Sequence, residues 1–174
     1  MNLGLLVLRV IVGALFIGHG AQKLLRWFGG HGPQATGSFF ESVGISPGKP
    51  MAILAGAAES LGGLLFALGL LTPLAAMLLI SVMAVAVATV HWSKGVWAAN
   101  GGFEYNLVMA AAAFAVTAIG AGRWSLDRVL AIHLVGAGWA LASLAAALAC
   151  ALVTIAFGRI ETRRHTRHAT PTAA

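Results

Sequence analysis

LAAMLLISVMAVAVATV, Leu74–Val90, is a run of seventeen residues with no charge. A helix that crosses the hydrocarbon core of a bilayer takes ~20 such residues. Three further segments are nearly as clean: Leu3–Ala21, Met51–Leu71 and Val129–Phe157. No soluble domain of 174 residues needs four such runs, so lipid is the solvent for most of this chain. The runs are continuously apolar and do not alternate, which excludes a membrane β-barrel. The expected fold class is all-α: an integral membrane helical bundle with four core transmembrane helices plus a fifth C-terminal helix.

Composition agrees, at 59% hydrophobic and 9% charged residues. The net charge of +6 is concentrated, with four of the eleven Lys/Arg residues in RIETRRHTRH, Arg159–His168. A juxtamembrane cluster of this kind holds anionic lipid headgroups. No basic fold surrounds it, so nucleic acid is not an expected partner. Cys150 is the single cysteine and sits inside the last apolar run. That rules out an internal disulfide, a CxxC redox pair and a cysteine zinc site, and leaves a small packing residue. The first segment has no basic n-region, is interrupted by Arg9, and is followed by HGAQKL where a signal peptide would place small residues. It reads as a retained helix.

The first helix is expected over Leu3–Leu25. Phe28–Pro50 follows, with six glycines and three prolines in 23 residues, too many for a long helix. Within it, Ser38 and Glu41 have capping-box spacing beside Phe39, Phe40 and Val43, which predicts a short amphipathic helix at headgroup level with Glu41 as a cap. Thr72-Pro73 is a tight break, so the second helix, Met51–Leu71, and the third, Leu74–His91, form an antiparallel hairpin. Tyr105–Ala121 is short for a span, and Phe103 and Glu104 extend it to ~20 residues. Gly122–Arg128 connects it to a fifth helix, Val129–Phe157, whose Gly136 and Gly138 permit close packing. The chain divides into a four-helix domain over 1–128, an additional helix over 129–158 and a basic, disordered tail over 159–174.

Threading these helices up and down gathers the polar residues. His19 and Lys23 end the first helix, His91 and Trp92 end the third, and Glu104 and Asn106 begin the fourth at the same membrane face. Glu59 lies ~12 Å in from that face on the second helix. Ionisable residues inside a membrane are functional candidates by default. Glu59, His19, His91 and Glu104 are therefore candidate catalytic groups, and Arg9, Lys23 and Asn106 candidate cofactor-binding groups. No metal site is expected. Arg9 lies toward the opposite end but shares a helix face with His19, Lys23, Gly13, Phe16 and Gly20, and its side chain is long enough to approach Glu59. Each has a plainer reading. Arg9 and Glu59 can be an ion pair that only holds the bundle. Lys23 can snorkel to headgroups. His19 and His91 can be interhelical hydrogen-bonding residues. A bis-histidine haem is the other reading of the two histidines, but two histidines alone do not specify it. Trp27, Trp92, Trp97 and Trp124 fit an aromatic belt, with His133 interfacial.

HG-xx-KL (His19, Gly20, Lys23, Leu24) closes the first helix. E-xx-G (Glu59, Gly62) leads to a Gly-Leu-x-Thr-Pro turn (Gly69, Leu70, Thr72, Pro73), followed by GFEYNL (Gly102–Leu107) and GRWSLD (Gly122–Asp127). In this order, over Leu3–Arg128, the chain resembles the DoxX family of small membrane proteins. The resemblance implies a four-helix membrane bundle. Some relatives are subunits of thiosulfate:quinone oxidoreductase. Others belong to membrane oxidoreductase assemblies that link thiol balance and oxidant defence. The fifth helix and basic tail depart from that pattern.

The implied function is a subunit of a membrane redox assembly with quinone-linked sulfur, thiol or oxidant-defence chemistry. Whether the chain is itself an enzyme is left open; the enzymatic reading is an accessory subunit of a quinone-linked oxidoreductase. In that reading Arg9, Lys23 or His19 donates to a quinone carbonyl, Glu59 or Glu104 exchanges the proton, and His91 relays it. The sequence has no flavin motif, dinucleotide fingerprint or cysteine cluster, so electrons come from a partner redox protein; a homo-oligomer is the other assembly considered. The alternatives are a non-catalytic membrane scaffold or assembly protein, and a small transporter. The expected location is the prokaryotic inner membrane, multi-pass, with Lys/Arg counting favouring an outside N-terminus and a cytoplasmic tail.

Overall fold

The computed structural model describes the backbone over residues 2–169 and side chains through residue 162. Four helices are long and apolar enough to cross a membrane: Asn2–Leu25, Gly48–Leu68, Thr72–Lys94 and Ala137–Thr162. A fifth, Glu104–Ile119, is apolar but shorter.

α1 (Asn2–Leu25) packs along α3 (Gly48–Leu68) more extensively than any other pair of helices. Lipid tails are as apolar as Leu, so such contacts depend on close backbone approach. A Cβ at Gly13 would lie 2.5 Å from the Gly63 carbonyl oxygen, and one at Gly20 would collide with Ser60 and the Gly56 backbone. These glycines fix the stagger of the two helices. α4 (Thr72–Ala86) returns beside α3, and α5 (Glu104–Ile119) and α7 (Ala137–Ala169) pack on α4. The core between them is built from Val12, Phe16, Phe66, Leu79, Met83, Met109, Val116 and Ala147.

The hairpin at Thr72-Pro73 forms as expected. α3 ends on Gly69 in the left-handed region (φ 61). Asp127 then caps α4, accepting from Leu71 N at 2.7 Å, from Thr72 N at 3.1 Å and from the Thr72 hydroxyl, while its own N–H donates to the Gly69 carbonyl at 2.8 Å. Arg9 is fully buried, fills the space that the missing side chain of Gly69 leaves, and donates to the Trp124 carbonyl. The α1–α3 stagger sets Arg9 level with Gly69, ~15 Å along the helix from Glu59. The expected Arg9–Glu59 approach is therefore not made.

Three element boundaries differ from the sequence reading. α2 (Gly32–Ser42) starts well before Ser38. Ser38 donates to the Gln34 carbonyl within the helix, and Glu41 accepts from Gly48 N at 3.0 Å, so Glu41 caps α3 and not its own helix. The helix expected from Val129 begins only at Ala137, as α7; a short α6 (Leu126–Val129) lies in the connection before it, and Gly136 (φ 113) is the joint into α7. Gly138 is not a packing glycine, since nothing lies within 4 Å of its would-be Cβ. The buried stripe of α7 is Ala140, Ser143, Ala147 and Ala151. The backbone stays helical to Ala169 where a disordered tail was expected from Arg159; the remainder of that tail, and the side chains of its arginines beyond Arg159, lie outside the described residues.

Candidate functional site

Gly56 has no side chain, so Leu24 and Lys23 press directly against the α3 backbone there. That contact delivers the Lys23 ammonium to Glu59, about midway along α3. Lys23 Nζ donates to both carboxylate oxygens, at 2.8 and 2.7 Å, and lies 3.5 Å from the His19 carbonyl. The Glu59 side chain is 3% exposed and that of Lys23 21%. A buried carboxylate in such surroundings must be paired.

The pair forms part of the wall of a cavity of about 450 Å³. Its other walls are almost wholly apolar: Phe39 and Phe40 of α2, Leu54 and Ala58 of α3, and Val82 and Val85 of α4. The hydroxyls of Ser81, Thr89 and Thr154 also line it, but each donates to a carbonyl of its own helix at 2.8 Å. The wall groups with chemistry to offer are thus Lys23, Glu59, His91 and the Cys150 thiol. The α4 ridge ends in a π-helix, Val87–His91, an irregularity frequent at functional sites. His91 Nδ1 lies 2.7 Å from the Gly101 carbonyl, so Nδ1 is the donor in that bond.

The other expected site residues fall elsewhere. His19 offers the pair its backbone carbonyl and is a charge neighbour of Glu59; its ring hydrogen-bonds elsewhere, to Tyr105 (Nε2 to hydroxyl 3.4 Å) and Gln22 (Nδ1 to Oε1 3.2 Å). Glu104 accepts from Ala98 N at 2.9 Å and closes the loop before α5. Asn106 donates to the Met83 sulfur at 3.4 Å and lines a second, more open groove of about 620 Å³ between α4, α5 and α7. Trp92 and Phe103 stack at 5.7 Å on the wall of that groove. Arg9 lies at the far end, in the turn described above. Lys23, Glu59 and His91 are brought together; Arg9, Glu104 and Asn106 are not. Among the described residues, no three His, Cys, Asp or Glu side chains are grouped as a metal ion would require.

Sequence reasoning missed the aromatic wall from α2, the Tyr105–His19 contact and the buried role of Asp127. Phe39-Phe40 was visible as an amphipathic signal, but nothing local shows which way it faces. Asp127 binds Thr72, 55 positions away, and no short-range pattern marks it.

The DoxX family model matches residues 4–92, the stretch that supplies α1 to α4 and with them the Lys23–Glu59 pair. The chain belongs to the DoxX family. It is 33% identical over 116 residues to "Putative oxidoreductase CatD" of Bacillus subtilis (strain 168), covering 67% of this chain and 80% of that relative. No solved structure matches. Together with its spanning helices, this makes the DoxX member a multi-pass integral membrane protein. α7, which adds Cys150 and Thr154 to the cavity wall, lies beyond the matched residues.

Proposed function

We propose that this DoxX member is an accessory subunit of a quinone-linked redox assembly in a prokaryotic inner membrane, and that it holds the quinone headgroup in the α2–α3–α4–α7 cavity. The observation that carries this reading is the position of the buried Lys23–Glu59 pair on the wall of an apolar cavity inside the spanning helices. The volume falls within the ~300–1,000 Å³ of small-molecule sites, which combine apolar walls with a few placed polar groups. A quinone supplies two-electron chemistry coupled to two protons. Lys23 orients a carbonyl by donating to it, as it now donates to Glu59. Glu59, once its pairing with Lys23 is shared with the ligand, holds or takes the proton at that oxygen. Phe39 and Phe40 pack the ring and exclude water. Electrons reach or leave the site through a partner redox protein, since the chain carries no flavin or dinucleotide motif. The printed name of the Bacillus relative, an oxidoreductase, supports the class of chemistry but not the quinone. The basic C-terminal segment contacts anionic lipid, with the tail on the cytoplasmic side.

The second reading is a non-catalytic scaffold, and the Arg9–Asp127 turn favours it, because charged groups there only join elements. Glu59→Gln separates the two. If quinone binding and assembly activity are lost while the bundle still folds, Glu59 belongs to a site. If the bundle fails to assemble, the pair is structural.

A further inference from the structure

We infer that the cavity takes a lipid-tailed ligand, which enters and rests sideways through a window between α3 and α7. The identity of the headgroup rests on the quinone reading above; the tail and the window rest on different observations. Leu54 of α3 and Cys150 of α7 both line the cavity and both are exposed, Leu54 at 59%. Exposed wall residues within the spanning segments mark where the cavity opens. α7 is held by α4 and α5, and α3 by α1, α2 and α4, so the two helices face each other across the cavity without being packed as a pair. Both residues lie within spanning segments, Gly48–Leu68 and Ala137–Thr162, so the mouth opens onto acyl chains and not onto water.

The segment around α2 bounds the cavity on its other side, outside the spanning helices: Ile45 is buried there, while Phe39 lines the cavity and is 48% exposed. The segment is tied to α7, with Ser46 N donating to the Gly158 carbonyl at 3.3 Å, and a Cβ at Gly158 would lie 3.1 Å from Ile45 Cα. Glu41 straps the same segment to the start of α3. A ligand with a planar carbonyl head and a polyprenyl tail satisfies both ends of this space: the head meets Lys23 and Glu59, and the tail leaves between Leu54 and Cys150. One side of the window is α7, which lies outside the family-matched residues.

The test uses the full chain in lipid nanodiscs, with binding of a polyprenyl naphthoquinone and of the same dimethylated ring without its tail expressed per mole of lipid. Leu54→Trp and Cys150→Trp each place a bulky ring in the window from an exposed position, and melting temperature reports that the fold is kept. The expected result is that either variant weakens the tailed quinone at least about tenfold more than it weakens the tailless ring. Equal effects on the two ligands, or none on either, overturn the window while leaving the headgroup site standing. Binding of neither ligand by the unaltered protein overturns the quinone reading and the window with it.

Discussion

Lys23→Met leaves the Glu59 carboxylate buried without its partner. The Glu59 side chain is 3% exposed, so water cannot replace the two hydrogen bonds it loses. Breaking a buried pair from one side costs ~3–5 kcal/mol, a shift in the folding equilibrium of roughly two to four powers of ten. The reverse change, Glu59→Gln, leaves an ammonium that is 21% exposed and can reach water and the His19 carbonyl. It should cost only ~1–2 kcal/mol. The double variant removes both charges and should destabilise less than Lys23→Met alone, because replacing a whole pair by neutral groups is often close to neutral. The measurement is a double-mutant cycle by reversible unfolding in mixed micelles. Equal costs for the two single changes would refute the burial asymmetry, and additive costs in the double variant would refute the pairing itself.

Gly13→Ala should destabilise by ~1–3 kcal/mol through the Gly63 contact, whereas Gly18→Ala, with open space at its would-be Cβ, should be neutral or slightly stabilising; paired thermal melts compare them. Asp127→Ala strips the α4 cap of three hydrogen bonds and removes the nearest acid from buried Arg9, so a loss of at least ~3 kcal/mol is expected, read as failure of the α3–α4 turn to protect its amides from hydrogen exchange. Phe40→Ala enlarges the cavity without touching the pair, and should weaken quinone binding by ~1–2 kcal/mol in equilibrium titrations while Lys23–Glu59 stays intact.

The long rods of the bundle were legible because each is an apolar run of spanning length with at most one charge, and Thr72-Pro73 can only be a hairpin between two of them. The convergence of Lys23, Glu59 and His91 was legible from up-and-down threading alone. The pairing was not. Arg9 and Lys23 share a face of α1, and which of them meets Glu59 depends on a stagger of ~15 Å that glycine contacts decide in three dimensions. The glycines were readable as sites of close approach, but not the register in which they meet. Gly136 and Gly138 show the converse: their spacing looks like a packing motif, yet one is a joint at positive φ and the other faces open space. Glu104 and Asn106 lie at the right depth but on the wrong faces, because their directions are set by the loop to Ala98 and by Met83.

Everything proposed for this DoxX member depends on the buried pair looking into a ligand cavity within the membrane. Photocrosslinking with an azido-quinone, followed by peptide mapping, tests it most directly. Adducts should concentrate on residues 51–59 of α3 and 78–91 of α4, and Glu59→Gln should abolish them. Adducts spread along the outer face of α1, around Val7–Leu15, with no dependence on Glu59, would contradict it.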